Sequence, residues 1–248
     1  GEAESLRALG KAAPGLVPKL YLNAFLQGQA VMISEYFNLM PISPKLDREL
    51  GRRLASMHDP NAAESRSPNG LYGFHVPTYC GETEQDNRWE KNWITFFRDR
   101  RLKSLLDLIG DSEIEKLGKT LCDRVVPFLL ADFEPKPVPV IIHGDLWSGN
   151  IAVNQNTMEP VLFDPSSYYG HNEVELGIMK MFGGRSDQFF DEYHRLLPKS
   201  QPHYEERIRL YELYHHLNHT LMFGGGYRLG AVRIMNELIQ FVDNQARP

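Results

Sequence analysis

A cluster of polar residues in the middle of the chain has types and spacing that suit phosphoryl transfer. His143-Gly144-Asp145 follows the apolar residues 138–142, and Asn150 comes five residues after Asp145. The apolar run predicts a buried strand that delivers a carboxylate to a pocket. In the catalytic loop of kinases, an Asp orients the accepting hydroxyl and an Asn at this spacing holds a metal ion. The alternative is a surface turn rich in Gly, Asp and Asn, because a short motif alone is only a hypothesis.

A second carboxylate further along the chain favours the chemical interpretation. Residues 151–153 and 161–163 predict two strands joined by a polar turn, and the second strand ends at Asp164. Pairing of these strands would return Asp164 to the neighbourhood of Asn150. Two oxygen ligands from these residues suit Mg²⁺, which prefers hard oxygen donors. Asp145 would lie beside the metal and be free to accept a proton, so we predict a site for phosphoryl transfer.

The chain upstream predicts a small β-rich segment followed by a helical one. Residues 2–9 predict a helix, and residues 16–25 and 30–36 predict two strands around a Gln27-Gly28 turn. Residues 35–39 predict a connector between the two parts. We therefore expect an α+β fold that divides into residues 1–38 and residues 39–248.

Helical periodicity dominates the second part. Ser43-Pro44 predicts a helix start, and residues 61–84 have no period and predict a long loop. Ser112 and Glu115 predict a capping box. An aromatic stripe at helical spacing consists of Trp89, Trp93, Phe96 and Phe97. Such a stripe is more typical of a core than of a substrate platform. Four further helices are predicted over residues 173–182, 187–197, 208–222 and 229–242.

Composition excludes several classes of protein. The 248 residues are 42% hydrophobic and 24% charged, which is the profile of a globular protein, and the net charge of −5 gives no reason to expect nucleic acid. Cys80 and Cys122 are too few for a disulfide scaffold or a metal cluster, so a reducing compartment is expected. We find neither an apolar run of membrane-spanning length nor a secretory signal. We therefore expect a cytoplasmic protein, with an organelle as the alternative location, and no membrane contact.

The motif His143-Gly144-Asp145 with Asp164, the segment Leu146-Trp147-Ser148-Gly149 and the motif Tyr169-Gly170-His171 together resemble those of the ketosamine-3-kinase (fructosamine-3-kinase) family, and the resemblance covers nearly the whole chain. The His-Gly-Asp motif with a later Asp is shared with aminoglycoside phosphotransferases and choline kinases. The residues between Asp145 and Asn150, Leu146-Trp147-Ser148-Gly149, and the motif Tyr169-Gly170-His171 are specific to the ketosamine group. Further matching segments are Gly73-Phe74-His75, Met181-Phe182-Gly183-Gly184 and Leu217-Asn218-His219. The resemblance implies a protein-kinase-like two-lobe fold and ATP-dependent phosphorylation of the 3-hydroxyl of ketosamines, free or on glycated lysine, which initiates protein deglycation.

The resemblance also implies roles for single residues. Asp145 would be the catalytic base, and Asn150 and Asp164 would hold Mg²⁺. On the substrate side, Trp147 would lie against a sugar face, with a buried packing role as its alternative. His171 and His219 are weaker candidates for contacts to sugar hydroxyls, because a His on an apolar helix is often a core residue.

The nucleotide side shows one departure from the family pattern. Glu2 matches the helix glutamate that pairs with a nucleotide-binding lysine, and main-chain groups of Glu35 and Phe37 would bind the adenine edge. The glycine-rich loop and the strand lysine would precede residue 1, so the N-terminal β lobe is incomplete in these residues. We expect this chain alone to bind ATP poorly. We also expect its exposed sheet to invite pairing with another chain, for which a homodimer is one arrangement.

Two other functions stay open from the sequence. One is a kinase of the same fold that acts on an aminoglycoside or a choline-like alcohol. The other is a pseudokinase or binding module without activity, which only the absent glycine-rich segment supports.

Overall fold

The first part of the chain consists of a helix and a β-hairpin. The computed structural model describes residues 1–245. Helix α1 (Glu2–Ala12) buries Leu6 and Leu9, and it is followed by the antiparallel strands β1 (Leu20–Leu26) and β2 (Gln29–Ser34). Their turn at Gln27-Gly28 has positive φ at both residues, 51° and 80°. The predicted helix and hairpin are thus confirmed, although both strands are shorter than expected.

The connector leads directly into the sheet of the second part. Strand β3 (Leu39–Met40) pairs with β7 (Ile151–Asn154), which in turn pairs with β8 (Glu159–Leu162). The chain therefore joins the sheet that carries the site from residue 39 onward. The division of the chain after residue 38 stays a prediction.

A helix pair packs below this sheet. After a 3₁₀ turn over Pro44–Leu46, helix α2 (Asp47–Met57) packs along α8 (Asp187–Leu196). Leu50, Leu54 and Met57 are fully buried. Burial of each such side chain stabilises the fold by roughly 1.5–3 kcal/mol before the entropic cost of folding is counted.

The predicted long loop contains a hairpin that the sequence did not indicate. Strands β4 (Thr78–Cys80) and β5 (Thr83–Gln85) pair antiparallel around Gly81-Glu82. The prediction of an irregular loop up to residue 84 was therefore wrong at its end. Each strand has only three residues, too short a run for a clear alternating pattern.

Two long helices with π-helical turns form the middle of the second part. The first runs through α3 (Trp93–Thr95), a π-helix over Phe96–Lys103 and α4 (Ser104–Ile109). The second runs through α5 (Ser112–Thr120), a π-helix over Leu121–Val125 and α6 (Val126–Ala131). Trp93, Phe96 and Phe97 are buried, which confirms their core role, and Trp89 lies before the helix, half-buried against Tyr169.

The predicted capping box was wrong. Asp111, not Ser112, is the N-cap of α5, and its carboxylate accepts hydrogen bonds from the backbone N–H groups of Glu113 and Ile114. Arg228 of the last helix also donates two hydrogen bonds to the Asp111 carboxylate, which hold this carboxylate at the capping position.

The remaining elements surround the site. Strand β6 (Val140–Ile142) pairs antiparallel with β9 (Tyr168–Gly170). The helices predicted in the last part are confirmed with changed bounds, as α7 (Glu175–Met181), α8, α9 (Tyr204–Phe223) and α10 (Gly225–Gln245). Within the described range 1–245, no helix has both the length and the apolar character to cross a membrane.

Candidate active site

The turn after β6 is held by one buried carboxylate. Glu175, at the start of α7, accepts the backbone N–H of His143 and that of Gly144, the latter at 2.9 Å. Burial alone would raise the pKa of the Glu175 carboxyl, but the bonds and charges of its neighbours, His58 foremost, outweigh burial and lower it. An ionised Glu175 thus fixes the backbone from which Asp145 projects.

Gly144 is required at this turn for two reasons. Its φ of +87° lies in the region that favours glycine. A Cβ atom at this position would lie 2.1 Å from the carbonyl oxygen of Ser166. The close approach comes from the strand pair β6–β9, because Ser166 donates its N–H to the His143 carbonyl at 2.8 Å.

The His143 ring connects the two halves of the site. Its Nε2 lies 2.9 Å from the carbonyl oxygen of Phe163, and its Nδ1 lies 3.3 Å from the backbone N of Asp145. A carbonyl only accepts, so Nε2 carries the proton and Nδ1 accepts from Asp145. Burial lowers the pKa of His143, so the ring is neutral at pH 7 and both bonds are made.

Asp145 is half-buried at the end of this turn and faces other carboxylates. Burial, followed by repulsion from Glu175 and Asp164, raises the pKa of Asp145 to about 6. The side-chain nitrogen of Asn150 donates to the Asp145 carbonyl oxygen at 2.9 Å and lies 3.4 Å from Oδ2. The carboxylate is therefore oriented and has a proton affinity closer to neutral pH than that of an ordinary Asp.

The structure brings Asn150 and Asp164 together, as their order in the chain predicts. Asn150 ends a 3₁₀ turn over Ser148–Asn150, and its carbonyl accepts the backbone N–H of Phe163 at 3.2 Å. Asp164 follows with φ of +54° and an exposed side chain. Because the Asn150 amide nitrogen is turned toward Asp145, its amide oxygen remains for another partner. An amide oxygen beside an exposed carboxylate is a donor set that fits Mg²⁺.

Helix α1 carries Glu2 to the same place. The Ser5 hydroxyl of α1 accepts the backbone N–H of Ser167 at 3.1 Å, which docks the helix three residues past Asp164. Partial burial, and then repulsion from Asp164, raises the pKa of Glu2. Glu2 and Asp164 thus face the same region of the site, where their charges repel each other.

The connector residues occupy the opposite end of the first part. Glu35 donates its N–H to the Lys19 carbonyl at 2.8 Å, and its carboxylate accepts the Lys19 N–H at 3.2 Å. Glu35 and Phe37 are half-buried, whereas Tyr36 between them is 84% exposed. The alternation is that of an extended segment, which presents main-chain groups along its edge.

An aromatic cavity opens next to Asp145. It has a volume of about 530 Å³, and three residues with predicted roles, Asp145, Trp147 and His219, line it. The other lining residues have no role predicted from the sequence: Cys80, Gly81, Glu82, Phe182, Met222, Phe223 and Tyr227. The Trp147 ring folds back over Gly149, where a Cβ atom would lie 2.2 Å from it. Trp147 is 37% exposed, so it is a cavity wall and not a buried packing residue.

His219 presents one nitrogen to this cavity. Its Nδ1 lies 2.8 Å from the His215 carbonyl and therefore carries the proton. Burial lowers the pKa of His219, so the ring is neutral at pH 7 and Nε2 is an acceptor. A sugar hydroxyl is a suitable donor for that nitrogen.

His171 does not reach the cavity. It is 1% exposed, bonded through Nδ1 to the Tyr211 hydroxyl at 2.9 Å, and stacked on Phe133 with the ring centroids 5.4 Å apart. Burial lowers the pKa of His171 to about 4. Its position is that of a core residue, and the predicted contact with a sugar hydroxyl has no support in the structure.

Glu175 and the outer wall of the cavity were not predicted from the sequence. A Glu in the first turn of a helix is common because it favours the helix dipole, so Glu175 gave no separate signal. Phe182 lies in a motif that carried the resemblance, but no role was assigned to it. Phe223 and Tyr227 flank the Gly224-Gly225-Gly226 break between α9 and α10, and aromatic residues at a helix end were the available signal.

Comparison with known proteins agrees with this geometry. The family model described as Fructosamine kinase matches residues 1–241. This chain belongs to the fructosamine kinase family. The ketosamine-3-kinase of Mus musculus is 36% identical over 261 residues, which covers 96% of this chain and 82% of the mouse protein. The predicted resemblance is therefore confirmed.

Solved structures confirm the fold class of this fructosamine kinase family member. A Thermobifida fusca protein assigned as a fructosamine-3-kinase superposes with a TM-score of 0.81 at 26% identity, covering 96% of this chain and 79% of that one. A complex of aminoglycoside phosphotransferase APH(4)-Ia with AMP-PNP and hygromycin B superposes with a TM-score of 0.60 at 14% identity, covering 99% and 83%. The α+β, kinase-like fold predicted from the sequence is correct.

Proposed function

We propose that the cavity next to Asp145 binds a ketosamine and that the protein transfers the γ-phosphoryl group of ATP to the sugar 3-hydroxyl. The observation that carries this proposal is the position of Asp145, which lines the aromatic cavity on one side and contacts Asn150 on the other. The cavity proposed for the acceptor and the residues proposed for the phosphate side thus meet at the Asp145 carboxylate. Membership of the fructosamine kinase family supports the acceptor class.

Asp145 acts as the base in this reaction. The bond between the sugar oxygen and the γ-phosphorus forms while the bond from that phosphorus to ADP breaks, and the hydroxyl proton passes to the Asp145 carboxylate. The raised pKa of Asp145, about 6, makes it a better acceptor than an ordinary Asp while leaving it ionised at pH 7. A loose transition state needs a positioned group more than a strong base, and the Asn150 contact supplies the position.

On the phosphate side of the site, we assign roles to Asn150, Asp164 and Glu2. Asn150 and Asp164 would hold Mg²⁺, which supplies charge neutralisation at phosphate oxygens when it is bound. Glu2, close to Asp164, would orient a nucleotide-binding lysine. Main-chain groups of Glu35 and Phe37 would bind the adenine edge, because the extended connector presents them along its edge.

Trp147 and His219 orient the acceptor. The Trp147 ring offers an apolar face to the C–H groups of the sugar, and the neutral His219 accepts a hydrogen bond from a sugar hydroxyl through Nε2. At the mouth, Phe223 is 66% exposed, so the substituent of the ketosamine can extend into solvent. The same site can therefore take a free ketosamine or a glycated lysine on a protein surface, which makes the reaction a step of deglycation.

A panel of acceptors tests the proposal. The full-length protein is supplied with ATP and Mg²⁺ and offered an N-alkyl fructosamine, the matching ribulosamine, an aminoglycoside and choline, with ADP release as the readout. We expect turnover with the ketosamines only. Turnover confined to the aminoglycoside or to choline, or ATP consumption with none of the four, would overturn it.

A further inference from the structure

The aromatic cavity carries negative charge and no compensating cation. Asp145 and Glu82 are its two ionisable carboxylates, and the residues lining it within the described chain include neither Lys nor Arg. Asp145 lies at the inner end beside the buried Cys80, whereas Glu82 is exposed. A ligand that fills the cavity therefore meets one half-buried carboxylate and one exposed carboxylate.

The rings that line the cavity form one continuous wall. The ring centroids are 5.5 Å apart for Trp147 and Phe182, 5.2 Å for Phe182 and His219, and 4.9 Å for His219 and Tyr227. Phe223 extends the wall outward, 6.0 Å from Tyr227. Ring faces next to a carboxylate are the arrangement that binds substituted ammonium ions in proteins.

The position of Glu82 is built into the fold. The side-chain nitrogen of Asn218 on α9 donates to the Cys80 carbonyl at 3.0 Å, which ties the β4–β5 hairpin to that helix. Gly81 has φ of +63°, and a Cβ atom there would lie 2.6 Å from the Met222 sulfur. The turn thus lies directly on the helix that carries His219 and Phe223, which holds Glu82 at the edge of the cavity.

We propose that Glu82, with Phe223 and Tyr227, binds the protonated amine of the ketosamine and makes the enzyme select acceptors that are cations at that nitrogen. This inference rests on the proposed function. In a ketosamine, the nitrogen is bonded to C1 and the accepting hydroxyl to C3 of the same sugar, so both must lie in one cavity. With the hydroxyl at Asp145 and the sugar ring against Trp147, the carboxylate of the lining that remains for the amine is the exposed Glu82.

The test compares a charged and a neutral acceptor of the same shape. The full-length protein is assayed with N-butyl fructosamine and with the O-butyl ether of fructose, in which oxygen replaces the amine. We expect wild type to prefer the amine in kcat/KM by at least tenfold. Glu82→Gln should lower kcat/KM for the amine about tenfold, mainly through KM, and leave the ether unchanged, because a hydrogen bond to a charged group is lost.

Two further variants separate charge from structure. Glu84 lies on the same hairpin but outside the cavity lining, and its carboxylate accepts a hydrogen bond from the Tyr79 hydroxyl at 2.6 Å. Glu84→Gln should therefore leave kcat/KM at the wild-type value for both acceptors. Phe223→Leu keeps an apolar side chain but removes a ring, and should lower kcat/KM for the amine about two- to fivefold and not for the ether.

Each contrary result has a distinct meaning. Equal kcat/KM of wild type for both acceptors, or an equal loss on both in Glu82→Gln, overturns the cation site and leaves the proposed kinase function standing. An unchanged preference in Glu82→Gln does the same. No turnover of the amine by wild type overturns the proposed function and the cation site together.

Discussion

His143 and Phe163 are joined by a hydrogen bond from the imidazole Nε2 to the main-chain carbonyl, 2.9 Å long. Phe163 immediately precedes Asp164, and the other ring nitrogen accepts the N–H of Asp145. One neutral ring therefore sets the position of the proposed base relative to the proposed metal ligand. The His of the His-Gly-Asp motif is a positioning residue that need not touch the substrate.

His143→Phe should lower both stability and kcat. The variant retains a ring but leaves the Phe163 carbonyl without its donor, which costs about 1–3 kcal/mol of unfolding free energy. Urea unfolding and steady-state kinetics of the full-length protein measure the two effects. His194→Phe is the control, because His194 also has two hydrogen bonds, to Leu197 and Tyr204, away from the site. It should lose stability and keep its kcat, and an equal fall of kcat in both variants would contradict the positioning role.

Gly144→Ala should destabilise the protein through steric overlap as well as backbone strain. Gly183→Ala is a matched control, because Gly183 has the same φ of +87° but no atom within 4 Å of an added Cβ. The control should cost roughly 1–2 kcal/mol from the left-handed backbone. Gly144→Ala should cost at least about 1–3 kcal/mol more, since the Ser166 carbonyl must move. Equal losses in denaturant unfolding would show that the close approach is absent in solution.

Asp145→Asn should stabilise the metal-free protein at neutral pH. The pKa of Asp145 is raised from 3.8 to about 6 in the folded state, so the folded protein binds this proton more tightly than the unfolded chain does. The stability linked to the proton is present below about pH 4 and is lost as the pH rises through 6. The gain in Asp145→Asn should therefore grow between pH 4 and 6 and reach at most about 3 kcal/mol above that. Urea unfolding in EDTA checks this, and a gain that does not change with pH would contradict the burial and repulsion assigned to Asp145.

Asp164→Asn should weaken the binding of Mg²⁺ to the enzyme. Removing the exposed carboxylate leaves the Asn150 amide oxygen with a neutral neighbour, so the Mg²⁺ concentration for half-maximal ATP turnover should rise at least tenfold. Asp187→Asn removes an exposed carboxylate at the start of α8 and should keep the wild-type titration curve. An unchanged Mg²⁺ titration in Asp164→Asn would exclude it as a ligand.

The order of Asp145, Asn150 and Asp164 could be interpreted from the sequence because a strand end and a hairpin position them locally. The β7–β8 pairing and the buried β6 follow from apolar runs of the kind that strands require. The helices α9 and α10 followed in the same way from their periodic apolar faces.

The contacts that complete the site could not be predicted in that way, because they join distant parts of the chain. Glu175 reaches back to the backbone of His143, and Asn218 fixes the carbonyl of Cys80. The buried Arg101, whose guanidinium carbon lies 4.0 Å from the centre of the Tyr168 ring, bonds to Asn87. It is one of five charged residues in the segment 98–103, and nothing local marks it as the buried one. The prediction that His171 contacts a sugar hydroxyl was wrong for the same reason, since nothing local distinguishes a core histidine from one that lines a cavity.

The most direct test of the account is the turnover of Asp145→Asn with a ketosamine acceptor, with the position of the phosphate determined by NMR. The full-length wild-type protein should convert ATP and N-butyl fructosamine to ADP and the 3-phosphate. Asp145→Asn, folded and at least as stable at pH 7, should be slower in kcat by at least about a hundredfold, as expected for a lost general base. Wild-type turnover in Asp145→Asn, or a phosphate on another hydroxyl, would contradict the assignment of Asp145 as the base that acts on the 3-hydroxyl.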